Sequence, residues 1–163
     1  MSRARAEIDL SAIAENLKFI KNKSDAEILA VVKADAYGHG LLPVATAAQA
    51  AGADWLGTAL LEEAITLRNG GITKPILAWL TPPGEDFKTA IKLDIDLSIS
   101  SIELLSEILS AGQSLNKKPR VHIEVDTGMS RGGVLGDWKE LLAEVVKVAD
   151  KIEVVGLWSH FAR

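Results

Sequence analysis

Two segments concentrate residue types that can do chemistry. The first is Val31-Val32-Lys33-Ala34-Asp35-Ala36-Tyr37-Gly38-His39-Gly40. A lysine closing a β-branched apolar run loses hydration, which favours the neutral amine that Schiff-base chemistry needs. Tyr37 offers a hydroxyl able to reach a phosphate. Gly38 and Gly40 free the backbone for a tight turn into a helix whose N-terminus favours anions. An isolated lysine here would more often snorkel to solvent; followed by Tyr-Gly-His-Gly, the chemical reading gains. His39 is expected to serve the turn. The second segment is Glu124-Val125-Asp126-Thr127-Gly128-Met129-Ser130-Arg131-Gly132-Gly133. Arg131 presents a planar fork suited to carboxylates or phenolates, and Glu124 or Asp126 could orient it. A glycine-rich surface turn with a solvated ion pair is the competing account.

Other candidates are weaker. His160 follows an apolar run and should face the same mouth as Lys33, as a structural hydrogen-bonding residue or a proton carrier. Trp79 can wall a planar ligand, although core packing is commoner. His122 is expected to pack or to lie at the surface, and Trp55, Trp138 and Trp158 to pack. Glu62, Glu63 and Glu103 sit on helical runs and read as solvated faces.

The elements that must position these residues follow from the hydropathy pattern. Short apolar runs at 27–33, 54–59, 75–80, 95–98, 120–126 and 152–159 read as buried parallel strands. Amphipathic stretches at 41–51, 60–69, 85–92, 101–111 and 138–150 alternate with them, and a helix over 11–22 precedes the first strand. Ser100 to Glu103 and Asp137 to Glu140 have capping-box spacing, and Gly52, Gly70 and Gly112 stand where helices should end. Regular βα alternation implies a parallel sheet. It is either an open sheet complete at six strands or a TIM-type (β/α) barrel with six of its eight strands. In both, chemistry collects at the C-terminal strand ends, where the two segments lie.

Composition excludes several functions. The 163 residues hold 18 basic and 22 acidic side chains, a net charge of −4, so no positive excess awaits a nucleic acid. With 48% apolar and 25% charged residues the chain is globular in kind and long enough for one core. Zero cysteines exclude disulfides, thiolate zinc and cysteine nucleophiles. The three histidines are widely separated, and no metal site is expected. No apolar stretch approaches the roughly 18–20 residues that span a bilayer. The opening arginines have no apolar core behind them, so a cytoplasmic protein without membrane contact is expected. Dinucleotide, nucleotide, zinc-protease and serine-hydrolase signatures are all missing.

The segments AVVKADAYGHG (30–40), VDTGMSRGG (125–133) and GLWSHFA (156–162) closely resemble bacterial alanine racemases, pyridoxal-phosphate enzymes of the (β/α)8-barrel type. AEIDLSAIAENL (6–17) and DIDLSISS (94–101) fit the same family. The resemblance runs over the whole chain but less than half of a complete member. It implies that residues 1–163 are a partial N-terminal barrel domain, with about six of eight strands, preceded by a short N-terminal strand near 7–10 and a helix.

The resemblance also implies roles. Lys33 would hold pyridoxal 5'-phosphate as a Schiff base and act as acid and base on one face of the substrate α-carbon. Tyr37 would bond the cofactor phosphate. Arg131 would contact the cofactor phenolic oxygen and the substrate carboxylate. His160 would join the network behind the pyridine ring. The reaction would interconvert L- and D-alanine and supply D-alanine to peptidoglycan. A serine or broad-specificity racemase, or a non-catalytic split-gene fragment, are the alternatives. Two positions depart from the family: Glu124 stands where many members carry a carbamylated lysine, and Asp35 where asparagine is common. The family's second base, a tyrosine from the partner subunit of a homodimer, has no counterpart, since Tyr37 is the one tyrosine. These residues alone are therefore expected to be inactive, and open sheet edges to promote self-association.

Overall fold

Strand order decides between the two parallel architectures. The computed structural model describes residues 4–161. Its strands are β1 (Leu29–Val31), β2 (Trp55–Leu60), β3 (Ile76–Leu80), β4 (Ile95–Ile99), β5 (Arg120–Glu124) and β6 (Glu153–Trp158). They form one sheet in the order β1-β2-β3-β4-β5-β6, every pair parallel. A doubly wound sheet reverses its order at a switch point. Here each strand pairs with its neighbour in sequence, which is the winding of a (β/α) barrel.

Side-chain contacts show that the sheet is curled. β2 and β5 lie three strand spacings apart, about 14 Å in a flat sheet. Yet the rings of Trp55 and His122 meet edge-on with centroids 5.4 Å apart. Trp79 of β3 and Trp158 of β6 approach to 6.1 Å. A β-bulge places Gly156 of β6 opposite His122. A Cβ on Gly156 would come within 2.7 Å of the imidazole, so glycine makes room for that ring.

The helices are α1 (Leu10–Lys21), α3 (Leu41–Ala50), α4 (Leu61–Asn69), α5 (Phe87–Lys92), α6 (Ile102–Leu115) and α7 (Trp138–Lys147); α2 (Lys33–Gly38) is a single turn of the opposite hand. The strand pleat separates two environments. One face of the sheet, with Leu56, Ile76, Leu97, Val121 and Ile123, packs against Ala64, Leu67, Phe87, Ile91, Ile108 and Leu141 of the helices. The inner face carries Trp55, Trp79, Asp96, Ser98, Arg120, His122, Glu124 and Trp158, and Asp96, Arg120 and His122 are tied together. The buried carboxylate of Asp96 accepts from Arg120 Nε at 2.7 Å, Arg120 Nη2 at 3.1 Å and His122 Nε2 at 3.0 Å. His122 is thus neither a surface residue nor simple packing, but half of a buried polar pair.

Local differences from the pattern-based expectation have physical causes. No strand forms over residues 4–9: Asp9 caps α1, accepting from Ser11 N and Ala12 N, and no described strand lies alongside to pair with it. Ser101, not Ser100, caps α6 through Leu104 N at 3.2 Å, and the Asp137 side chain makes no capping bond. Gly112 does not end α6, which runs on to Leu115 and closes at the left-handed Asn116. Gly112 is a close-approach residue instead. A Cβ there would lie 2.7 Å from the Lys117 carbonyl oxygen.

Candidate active site

The first segment folds in a way its composition does not announce. After β1, Ala34, Asp35, Ala36 and Tyr37 all adopt left-handed φ angles of 52–57°. Each non-glycine residue there costs roughly 1–2 kcal/mol, so about 4–8 kcal/mol for the four. A dense set of hydrogen bonds offsets this. Ala36 N donates to Val32 O (2.8 Å), and Gly40 N to Asp35 O (2.9 Å). Leu41 N donates to the Asp35 carboxylate (2.7 Å), so Asp35 caps α3. The His39 imidazole Nδ1 donates back to Ala36 O (2.9 Å), the turn role expected of it. At the start of the turn, Ala34 N donates to Glu63 Oε1 at 2.6 Å.

This turn presents Lys33 and Tyr37 to a cavity of about 290 Å³ at the C-terminal ends of the strands. Lys33 is half-buried, with its Nζ 6.0 Å from the Tyr37 ring centroid. Among the described residues its amine has no hydrogen-bond or ion-pair partner. Trp79 and Trp158 wall the cavity from β3 and β6, tilted 58° to each other. Trp158 Nε1 donates to Ser98 Oγ at 3.0 Å, which locks its ring. Trp158 is therefore a wall as well as a packing residue.

The second segment reaches the same cavity from β5. Asp126 Oδ1 accepts from Gly128 N (2.8 Å) and Ser130 N (3.1 Å), and these donors hold its pKa below the usual carboxylate range. Asp126 thus shapes the loop and does not orient Arg131. The loop closes where Val134 N bonds Glu124 O (2.8 Å) and Asp126 N bonds Val134 O (3.0 Å). Gly133, at φ 91°, fits because a Cβ would meet Asp126 N at 2.6 Å. Arg131 is exposed, lines the cavity, and has no carboxylate within 4.0 Å among the described residues. Buried Glu124 lines it too. Burial raises the Glu124 pKa, the positive charge of Arg131 partly offsets this, and Asp126 adds to the rise. His160 also lines the cavity and is exposed, on a segment tied down by a 2.5 Å bond between the Ser159 and Thr127 hydroxyls.

Lys33, Tyr37, Arg131 and His160 therefore line one cavity although up to 127 positions separate them in the chain (160 − 33). A family model described as "Alanine racemase, N-terminal domain" matches residues 8–163. The chain belongs to the alanine racemase family. It is 48% identical to the alanine racemase of Salinispora tropica over 164 residues, covering 99% of this chain and 44% of that protein. The alanine racemase of Thermobifida fusca is 45% identical over 165 residues, with 99% and 44% covered. Among solved structures, the alanine racemase from Streptomyces coelicolor A3(2) superposes with a TM-score of 0.94 at 41% identity, over 97% of this chain and 44% of that one. The chain spans less than half the length of the alanine racemases it matches.

Two residues of the site neighbourhood escaped the sequence reading. Trp158 was assignable to the cavity only once β6 curled towards β3. Glu63 is not a solvated face: one of its oxygens reaches beyond its own helix to accept from Ala34 N. Its position three residues after Leu60 is a capping signal that could have been noticed; its distant partner could not.

Proposed function

We propose that this chain is the part of an alanine racemase that carries pyridoxal 5'-phosphate on Lys33, in a cytoplasmic homodimer that interconverts L- and D-alanine. The observation that carries the proposal is the convergence of an unpartnered amine, a phenol, a guanidinium and an imidazole on one aromatic-walled cavity. Its residues fit the cofactor group by group. The Lys33 amine suits the aldehyde, the Tyr37 hydroxyl the phosphate, Arg131 the phenolic oxygen or a substrate carboxylate, and Trp79 and Trp158 a flat ring. A volume of about 290 Å³ lies near the lower bound of small-molecule sites, roughly 300–1,000 Å³. When bound, the cofactor supplies an electron sink that makes an α-proton removable. Lys33 then holds or returns the proton on one face of the α-carbon. The Bacillus anthracis alanine racemase, solved with bound L-Ala-P, superposes at a TM-score of 0.86 and 38% identity, which supports an alanine-sized amino acid for this cavity.

Borohydride trapping tests the attachment. After incubation with pyridoxal phosphate and reduction, peptide mass mapping should find the label concentrated on Lys33 and lost in Lys33→Ala. A label spread evenly over surface lysines would overturn the assignment.

Self-association is part of the same proposal. β1 and β6 each have one edge unpaired among the described residues, with Val31, Val154 and Leu157 exposed. Such edges are templates for pairing. Sedimentation velocity should show the mean mass rising with concentration; a single monomeric species throughout would count against it.

A further inference from the structure

Glu63 connects three backbone donors on two separate elements. Its Oε2 accepts from Ala59 N (3.1 Å) and Leu60 N (3.0 Å), at the corner where β2 turns into α4. That part is ordinary helix capping. Its Oε1 does something else: it accepts from Ala34 N at 2.6 Å, 29 residues away in the chain. Ala34 is the first left-handed residue of the α2 turn and directly follows Lys33. On the other side of Lys33, Val32 N donates to Gly57 O of β2 at 2.9 Å. Lys33 is thus the one residue between two backbone anchors, one on β2 and one on the carboxylate that caps the helix after β2.

We infer that Glu63 is the positioning residue that aims the Lys33 amine into the cavity, by fixing the point at which the chain changes hand. This rests on the cofactor reading of Lys33 given above. A carboxylate is needed because all three partners are N–H donors, which only an acceptor can satisfy. A neutral amide of the same shape would turn its own N–H₂ towards at least one of them. Glu62, the neighbouring acid, is exposed and makes no such bond. Without the Glu63 contact, Ala34 N loses a charge-assisted partner just where the backbone enters a disfavoured conformation. The turn then has less to hold it, and the lysine reaches the cavity for a smaller fraction of the time.

The test is Glu63→Gln in the same chain, with two ligands. Pyridoxal phosphate needs the Lys33 amine; pyridoxamine phosphate occupies the same cavity and needs no amine. Glu63→Gln should lower the rate and extent of pyridoxal phosphate attachment at Lys33 about tenfold, the scale of one hydrogen bond to a charged group. Affinity for pyridoxamine phosphate should stay within about twofold, since the groups around the ring and phosphate are untouched. Equal losses for both ligands, or no loss for either, would overturn the inference. If the parent chain takes no pyridoxal phosphate at Lys33, the cofactor reading fails separately. Acetic anhydride labelling of Lys33 then decides the matter. A several-fold difference between parent and Glu63→Gln, with other lysines unchanged, upholds the positioning role; no difference removes it.

Discussion

Lys33→Ala, introduced into a chain of the relatives' full length, is expected to lower racemisation by about 10²–10⁴-fold, the usual contribution of a positioned acid and base. Two losses coincide. The amine that would hold the cofactor is gone, and so is the group that moves the α-proton on that face. Among the described residues no other lysine lines the cavity. Lys33→Arg separates charge from nucleophilicity, because a guanidinium keeps the positive charge but stays protonated. It should be as impaired as alanine. The measurement is turnover of L- to D-alanine with saturating pyridoxal phosphate, checked against the visible absorbance of attached cofactor. Turnover of either variant within tenfold of the parent would remove Lys33 from the mechanism.

Asp96→Ala should have the largest effect on stability, about 3–5 kcal/mol. The Asp96 carboxylate is 1% exposed and accepts three hydrogen bonds, two from Arg120 and one from His122. Removing it leaves a buried imidazole and a partly buried guanidinium without their acceptor. The Arg120 side chain is 30% exposed and retains Glu153 at 2.8 Å, so the loss should fall towards the lower end of that range. The pH dependence has a definite sign. Burial raises the Asp96 pKa, but the bonds from His122 and Arg120 outweigh it, and the net shift is downward. A carboxylate with a depressed folded pKa stabilises the fold above its unfolded value of roughly 3.9, and that stabilisation is lost as pH falls through the folded pKa. Glu124, shifted upward, acts in the opposite sense and favours the fold when protonated. The clean readout is therefore the difference between parent and Asp96→Ala in urea unfolding. It should be full near neutral pH and shrink below about pH 4. A difference that is small at neutral pH, or flat through the acid range, would contradict the role given to this network.

Much of the candidate site was legible from the residue order. A lysine after Val31-Val32, the Tyr-Gly-His-Gly that follows, and the arginine in a glycine-rich stretch are local patterns. Local patterns survive in the sequence because strand burial and turn geometry act over a few neighbouring residues. The same holds for the six strands and the five helices that alternate with them, all found within a few residues of their expected positions. The gaps have one origin. The Glu63–Ala34 bond, the Asp96–His122–Arg120 cluster, the Trp158 wall and the tight spot at Gly112 each need a partner that is distant in the chain or hidden in a turn. Glu63 looked like a solvated helical acid because it stands beside the exposed Glu62 in the first turn of its helix, and nothing nearby in the sequence records a backbone N–H 29 residues back. The left-handed run at 34–37 was equally hidden. Alanine, aspartate and tyrosine do not seek that conformation; local bonds within the turn and one long-range bond, from Ala34 N to Glu63, hold it.

By itself, then, the order of residues determined that this chain is an α/β protein with a lysine, a tyrosine, an arginine and a histidine after its first, fifth and sixth strands. Hydropathy left an open sheet and a barrel equally available; that the strands lie side by side in sequence order, curl towards each other and bring the four side chains to one cavity is a property of the tertiary structure. The reason is physical. Periodicity reports which face of an element is buried, but not which element buries it; that choice is made by long-range pairing and packing, where bringing residues 33 and 160 to one cavity costs chain entropy that no local pattern encodes.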